Sequence, residues 1–159
     1  MKRSVYIETT IISCLTAWPS RDLVRAAQQQ VTREWWEVQR LKFDLYTSEL
    51  VLIEAAAGDA DAAAQRLAML QNLPVLDTTE QALDVADALV EAAVLPVVAE
   101  RDAQHIGVAA VHGMDFLLTW NCRHLANALL RDRIEEVCEL AGLRPPAICT
   151  PDELLGDES

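Results

Sequence analysis

The sequence predicts an α/β domain in which helices cover both faces of a parallel sheet. Short runs of β-branched and aromatic residues, Ser4–Ile7, Phe43–Thr47 and Phe116–Thr119, alternate with longer runs of helical composition. Parallel strands require crossover helices, so this alternation favours a parallel sheet over a meander. The 159 residues are 52% hydrophobic and 24% charged, a globular composition long enough for one well-buried core.

The elements follow in order. Ser4–Ile7 forms the first strand, and after Glu8-Thr9-Thr10 the segment Ile11–Leu15 forms a helical turn or short helix. Pro19-Ser20 breaks the chain. Asp22 to Leu41 lacks Gly and Pro. Leu23, Ala26, Ala27, Val31, Trp35 and Val38 recur there at three- and four-residue steps, predicting one long helix with an apolar face. Phe43–Thr47 is the second strand. Ser48 caps a helix from Glu49 to Ala57 that closes at Gly58. Asp59 to Leu73 is an Ala-rich helix, and Pro74-Val75-Leu76 a very short strand. Thr78 and Gln81 read as a capping box that opens a helix to Ala93. A helix over Val98–Val111 stops at His112-Gly113, and Phe116–Thr119 is a strongly apolar strand. Leu125–Leu140 is helical, Ala147–Cys149 is the last strand, and Thr150-Pro151-Asp152-Glu153 starts a terminal turn with its own capping box. Residues 1–155 are expected to form a single domain, with 156–159 a frayed tail.

Charge and motifs narrow the function. The net charge is −12, yet residues 1–42 hold seven Lys/Arg against four acids, so a polyanion can still approach that part. The acidic remainder suits a basic protein partner, or simply keeps the protein soluble. No apolar run is long enough for a membrane span, and the early charge at Glu8 argues against a secretory leader. Cys14, Cys122, Cys138 and Cys149 form no C-x-x-C pair and are expected to be reduced thiols. Neither glycine-rich phosphate loop is present, nor a G-x-S-x-G elbow.

Ligands of open parallel sheets bind at the carboxyl ends of the strands, so polar residues that follow strands are the candidates. Glu8 follows the first strand. Glu54 lies on the helix after the second, in a segment so apolar that its carboxylate needs a partner or a cation. Asp102 lies early in the helix leading into Phe116–Thr119, and Thr119-Trp120-Asn121 ends that strand. Each has a plainer role open to it: a turn cap for Glu8, the exposed residue of its helix for Glu54, a helix-dipole acid for Asp102. Three converging carboxylates repel one another, and a hard divalent cation resolves that repulsion through oxygen ligation; Mg²⁺ or Mn²⁺ suits such a site. Asp115 precedes the strand that Asn121 follows, and belongs at the opposite sheet edge. Thr119 either orients a carboxylate or is structural. His105, three residues after Asp102, reads as a packed or hydrogen-bonded histidine, with a site role as the alternative. Arg123 and His124 read as a solvated loop or as phosphate contacts. His112 reads as a helix-end residue. Adjacent helical residues point about 100° apart, so of Trp35 and Trp36 one belongs to the core and the other to an interface, with stacking on RNA bases as the alternative. A phosphatase or receiver-type pocket needs an aspartate nucleophile after the first strand, for which Glu8 is a poor substitute.

These residues resemble the motifs of PIN domains. Tyr6-Ile7-Glu8-Thr9-Thr10-Ile11-Ile12-Ser13 is similar to the opening motif and Ser48-Glu49-Leu50-Val51-Leu52-Ile53-Glu54 to the second. Asp102-Ala103-Gln104-His105-Ile106, with Gly113 to Asn121, resembles the third and fourth. The order and spacing cover residues 4–150, and the resemblance is to the VapC-like toxins of prokaryotic toxin–antitoxin pairs. It implies a three-layer α/β/α sandwich and a Mg²⁺- or Mn²⁺-dependent endoribonuclease. It places the catalytic positions on Glu8, Glu54, Asp102 and Asn121, with the metal held by Glu8, Asp102 and Glu54. It further implies an RNA substrate, a cognate antitoxin, a homodimer and a cytoplasmic location without membrane contact. Two positions depart from the family pattern: Glu8 stands where Asp is usual, and Asn121 where a fourth acid is usual. Those departures keep a second reading open, a PIN-like domain that binds nucleic acid or protein without cutting.

Overall fold

The computed structural model describes residues 1–156; the expected tail, Gly156 apart, lies outside the described residues. Five strands form one sheet: β1 (Arg3–Ile7), β2 (Phe43–Ser48), β3 (Val75–Leu76), β4 (Phe116–Leu118) and β5 (Ala147–Cys149). Their spatial order is β3-β2-β1-β4-β5, and every pair is parallel. Val5 lies opposite both Leu45 and Phe116, and Leu117 lies opposite Ile148. The central strands read as unbroken apolar runs because both faces are covered: Val5, Tyr6, Ile7, Leu117 and Leu118 are all fully buried.

Seven helices do the covering: α1 (Thr9–Thr16), α2 (Leu23–Glu37), α3 (Glu49–Ala55), α4 (Ala60–Leu70), α5 (Glu80–Glu91), α6 (Glu100–Val111) and α7 (Arg131–Leu140). Helix α1 packs against α2, α3 and α4, whereas α5 packs against α6 and α7. Strand order reverses at β1, so crossovers of one hand put the first group on one face and the second on the other, giving the three-layer α/β/α sandwich expected from the motifs. No helix among the described residues is long and apolar enough to cross a membrane.

Four local expectations need correction. Helix α2 stops at Glu37 and gives way to a 3₁₀ turn, Gln39–Lys42, instead of running to Leu41. Its buried face is also rotated: Gln29, Thr32 and Trp35 are inside, while Leu23 and Val38 are exposed. The polar residues are buried because they are bonded. Gln29 Nε2 donates to the Trp18 carbonyl, and Trp120 Nε1 donates to Thr32 Oγ1. The helix expected from Leu125 begins only at Arg131. Asn121 Oδ1 accepts from the amides of Arg123 and His124, and Asn127 Oδ1 from that of Leu129, so these side chains take donors that a helix would use. Finally, α5 is capped by Thr79, whose hydroxyl accepts from the Ala82 amide, and not by Thr78.

Other expectations hold. Ser48 caps α3 by accepting from the Val51 amide at 3.2 Å. The terminal turn carries the capping box of Thr150 and Glu153. All four cysteines are free, and three are buried. Burial pushes the Cys138 thiol up to about 11 and that of Cys149 up to about 12. Of the two adjacent tryptophans Trp35 is the core member, fully buried and stacked on Phe43; Trp36 is half-buried and lies under the Arg40 guanidinium.

Candidate metal centre

Successive strands step from β1 through β2 to β3 on one side, then return to β4 and β5 on the other. The loops leaving β1 and β4 therefore diverge, and the crevice between them is the switch point at which α/β sheets bind ligands. Glu8 stands at the end of β1, and its amide extends the ladder by donating to the Leu118 carbonyl at 3.1 Å. Its side chain is almost wholly buried, at 4% exposure. Glu8 Oε1 accepts from the hydroxyls of Thr10 and Thr119, each at 2.5 Å, and Oε2 accepts from the Thr10 amide at 3.2 Å. Glu8 thus caps α1 as its plainer reading required, and Thr119 does orient a carboxylate. The two hydroxyls are fixed in turn, because Trp120 N donates to Thr10 Oγ1 and Asn121 N to Thr119 Oγ1.

Glu54 arrives from the last turn of α3. Its Oε1 accepts from Thr9 Oγ1 at 2.7 Å and lies 2.6 Å from Nε2 of His105 on α6. The side chain is 29% exposed, so α3 is less enclosed than its composition suggested; Ile53 beside it faces solvent. His105 is fully buried, with Nδ1 2.6 Å from the Tyr6 hydroxyl, which is itself 2.7 Å from Ser48 Oγ. One donor atom each from Glu8, Glu54 and His105 lies within 4.8 Å of the others. Burial pushes the Glu54 carboxyl up, but the hydrogen bond and electrostatic attraction from His105, then the Thr9 hydrogen bond and the Arg101 charge, together outweigh it and hold the group below the usual carboxylate range. Burial drives the Tyr6 phenol far above its ordinary value, which keeps it a neutral O–H donor.

The other two expected site residues stand beside this group and are not part of it. Asp102 lies in the first turn of α6, one turn before His105, with Oδ2 3.2 Å from His124 Nδ1. Asn121 is joined to Glu8 through Thr119, while its Oδ1 is engaged by the amides of Arg123 and His124. Asp115 is remote from all of them at the opposite end of β4, where its carboxylate binds Ser4 and Arg144. His112 closes α6 and bonds the Asp77 carbonyl. Tyr6, Thr9 and Thr10 are members that sequence reasoning passed over, and Ser48 was read only as a helix cap. The only signal of the first three was position, within two residues of Glu8.

The donor set fits a hard divalent cation. No Lys or Arg forms an ion pair with Glu8 or Glu54 among the described residues, so their negative charge lacks a fixed counter-charge from those side chains. Each carboxylate is anchored through Oε1. Glu54 Oε2 has no hydrogen bond among the described residues, and Glu8 Oε2 has one long one. Both therefore present an oxygen of the kind that Mg²⁺ and Mn²⁺ prefer.

Among solved structures, the VapBC2 complex of Rickettsia felis, bound to a DNA fragment from its promoter, contains a similar chain. That likeness has a TM-score of 0.59 at 13% identity and covers 92% of this chain and 98% of that one. Mycobacterium tuberculosis VapC20, a toxin that cleaves the sarcin–ricin loop, is similar with a TM-score of 0.53 at 18% identity, over 76% of this chain and 92% of its own. This chain has a PIN-like fold. No protein-family model and no curated sequence matches it. In the PIN-like fold the carboxyl ends of β1 and β4 face one crevice, and Glu8 and Thr119 sit there.

Proposed function

We propose that the protein is a divalent-metal-dependent endoribonuclease of the VapC-like toxin type, a single cytoplasmic domain over residues 1–155. The observation that carries this reading is the pairing of Glu8 with Glu54 at the switch point of a PIN-like fold, each anchored through one oxygen. A bound Mg²⁺ or Mn²⁺ supplies a polarised phosphoryl oxygen and a water of lowered pKa. Glu8 and Glu54 hold the ion, Asp102 joins them as the third acid, and Asn121 contributes a neutral oxygen. Thr10, Thr119 and Thr9 keep the carboxylates aimed while the scissile phosphate enters. The basic residues of 1–42 draw RNA toward a chain whose net charge is −12. The antitoxin is a protein with a basic segment complementary to the acidic remainder, and the toxin itself pairs as a homodimer. Purified protein is expected to cleave RNA with Mg²⁺ or Mn²⁺ and to stop on chelation. Asp102→Asn is expected to lower the rate at least a hundredfold with the fold unchanged by circular dichroism; undiminished cleavage sinks the assignment.

One observation favours a second reading, a PIN-like module that binds without cutting. Asp102 is already paired with His124, and the Asn121 oxygen is already taken by two amides. Calorimetric titration with Mn²⁺ separates the two, because absence of binding at millimolar metal leaves only the binding module.

A further inference from the structure

The Ser48, Tyr6 and His105 side chains form a buried line that ends on Glu54 and leads away from the crevice. Its hydrogens can be assigned by donor and acceptor accounting. Ser48 Oγ already accepts from the Val51 amide, and its other partner is the Tyr6 hydroxyl. The Ser48 proton therefore has one acceptor among the described residues, the Tyr6 oxygen. Tyr6 must then donate its own proton to His105 Nδ1, at 2.6 Å. His105 is left with its hydrogen on Nε2, which donates to Glu54 Oε1 at 2.6 Å. Each alternative fails on one atom. A hydrogen on Nδ1 turns Tyr6 toward Ser48 and leaves the Ser48 hydroxyl, fully buried, with no acceptor. It also sets a bare Nε2 lone pair against a carboxylate oxygen, unless the ring is doubly protonated.

We infer that Tyr6, held by Ser48, fixes His105 as the Nε2–H tautomer, and that His105 is a positioning residue which locks Glu54 Oε1 and leaves Oε2 for the cation. The inference rests on the metal-site reading above and deepens it. It also removes His105 from the ligand set, although its ring nitrogen lies within ligand distance of both acids. The nitrogen that faces the site carries a hydrogen and has no lone pair to give. Histidines that ligate metals usually donate their other N–H to an outer partner; here the outer partner donates to the histidine, and the carboxylate is the group that is oriented.

The test combines a metal-free readout with a metal titration. In the metal-free protein, ¹⁵N chemical shifts of the His105 ring are expected to report a protonated Nε2 and a bare Nδ1. Tyr6→Phe conserves the core volume but removes the donor to Nδ1. It is expected to shift the ring toward a tautomer mixture and to weaken Mn²⁺ binding about tenfold by calorimetry. His105→Gln, whose amide still donates to Glu54, is expected to stay within about threefold of wild type, whereas His105→Leu loses at least about tenfold. Circular dichroism accompanies each variant, and if Tyr6→Phe does not fold, the wild-type ring shifts and the His105 pair still decide. Wild-type protein that binds Mn²⁺ with its hydrogen on Nδ1 overturns the inference alone, as does a folded His105→Leu protein with unchanged affinity. Wild-type protein that binds no Mn²⁺ overturns the metal-site reading and this inference with it.

Discussion

Two threonines near the carboxyl ends of β2 and β4 show how one hydroxyl is costly or useful according to its partners. Thr119 is fully buried, donates to Glu8 and accepts from the Asn121 amide. Thr47 is equally buried, but its hydroxyl has no partner among the described residues. A buried hydroxyl without a hydrogen bond costs roughly 1–3 kcal/mol, and valine fills nearly the same space without that cost. Thr47→Val is therefore expected to raise stability by up to about 1 kcal/mol. Thr119→Val is expected to lower it by about 1–3 kcal/mol, because it strands a buried carboxylate and an amide. Urea unfolding of the two variants decides the matter, and a shared sign would contradict it. The same contrast explains how far the site was legible. Glu8 and Glu54 were visible because a carboxylate beside apolar runs needs a reason to be there. Thr119 was visible because it ends a strand at the carboxyl edge. Tyr6 and Ser48 were not, since a tyrosine in a strand and a serine before a helix already have ordinary roles. His105 was seen, but only the fold reveals that its two ring nitrogens face groups 99 and 51 residues away in sequence.

At the scale of elements, helix α6 carries Asp102 and His105, and its seat is set by one glycine. A Cβ on Gly107 would lie 2.2 Å from the Ala82 carbonyl oxygen, and 3.0 Å from the carbonyl carbon, both backbone atoms of α5. These atoms cannot swing aside as a side-chain tip can, so the two helices must separate. Gly107→Ala is expected to destabilise the protein by roughly 1–3 kcal/mol despite alanine's better helix propensity. The melting temperature should fall by roughly 2–4 °C for each kcal/mol in a chain of this size. Because α6 also aims His105 at Glu54, Mn²⁺ affinity is expected to fall together with the melting temperature. An unchanged melting temperature would show that α5 and α6 have slack. The strands and most helices were legible because alternation and caps are local properties. The phase of α2 was not, because Gln29 and Thr32 are inside for hydrogen bonds to Trp18 and Trp120, and hydrophobicity does not record those bonds.

Across the whole molecule, different polar groups hold the two ends of the sheet, Glu8 and Thr119 at the carboxyl ends of β1 and β4 and Asp115 at their amino ends. At the amino ends of β1 and β4, Asp115 accepts from the Ser4 amide at 2.9 Å and from the Ser4 hydroxyl at 3.2 Å, and pairs with Arg144. The Ser4 amide above all, then Arg144, holds the Asp115 carboxyl below its ordinary value. A carboxyl with a lowered folded pKa adds stability that is complete above its unfolded value of about 4. That stability is lost as pH falls through the folded value. Asp115→Asn keeps the size and one acceptor but cannot ionise. Its deficit relative to wild type is therefore expected to be full at pH 7 and to shrink steadily below about pH 4, measured as paired urea midpoints. All other carboxyls are the same in both proteins, so the difference isolates this one clamp. A deficit that does not change with pH would assign the clamp's strength to shape and neutral hydrogen bonds. Mn²⁺ affinity at pH 7 is expected to be unaffected, because the clamp and the proposed cation site lie at opposite ends of β4.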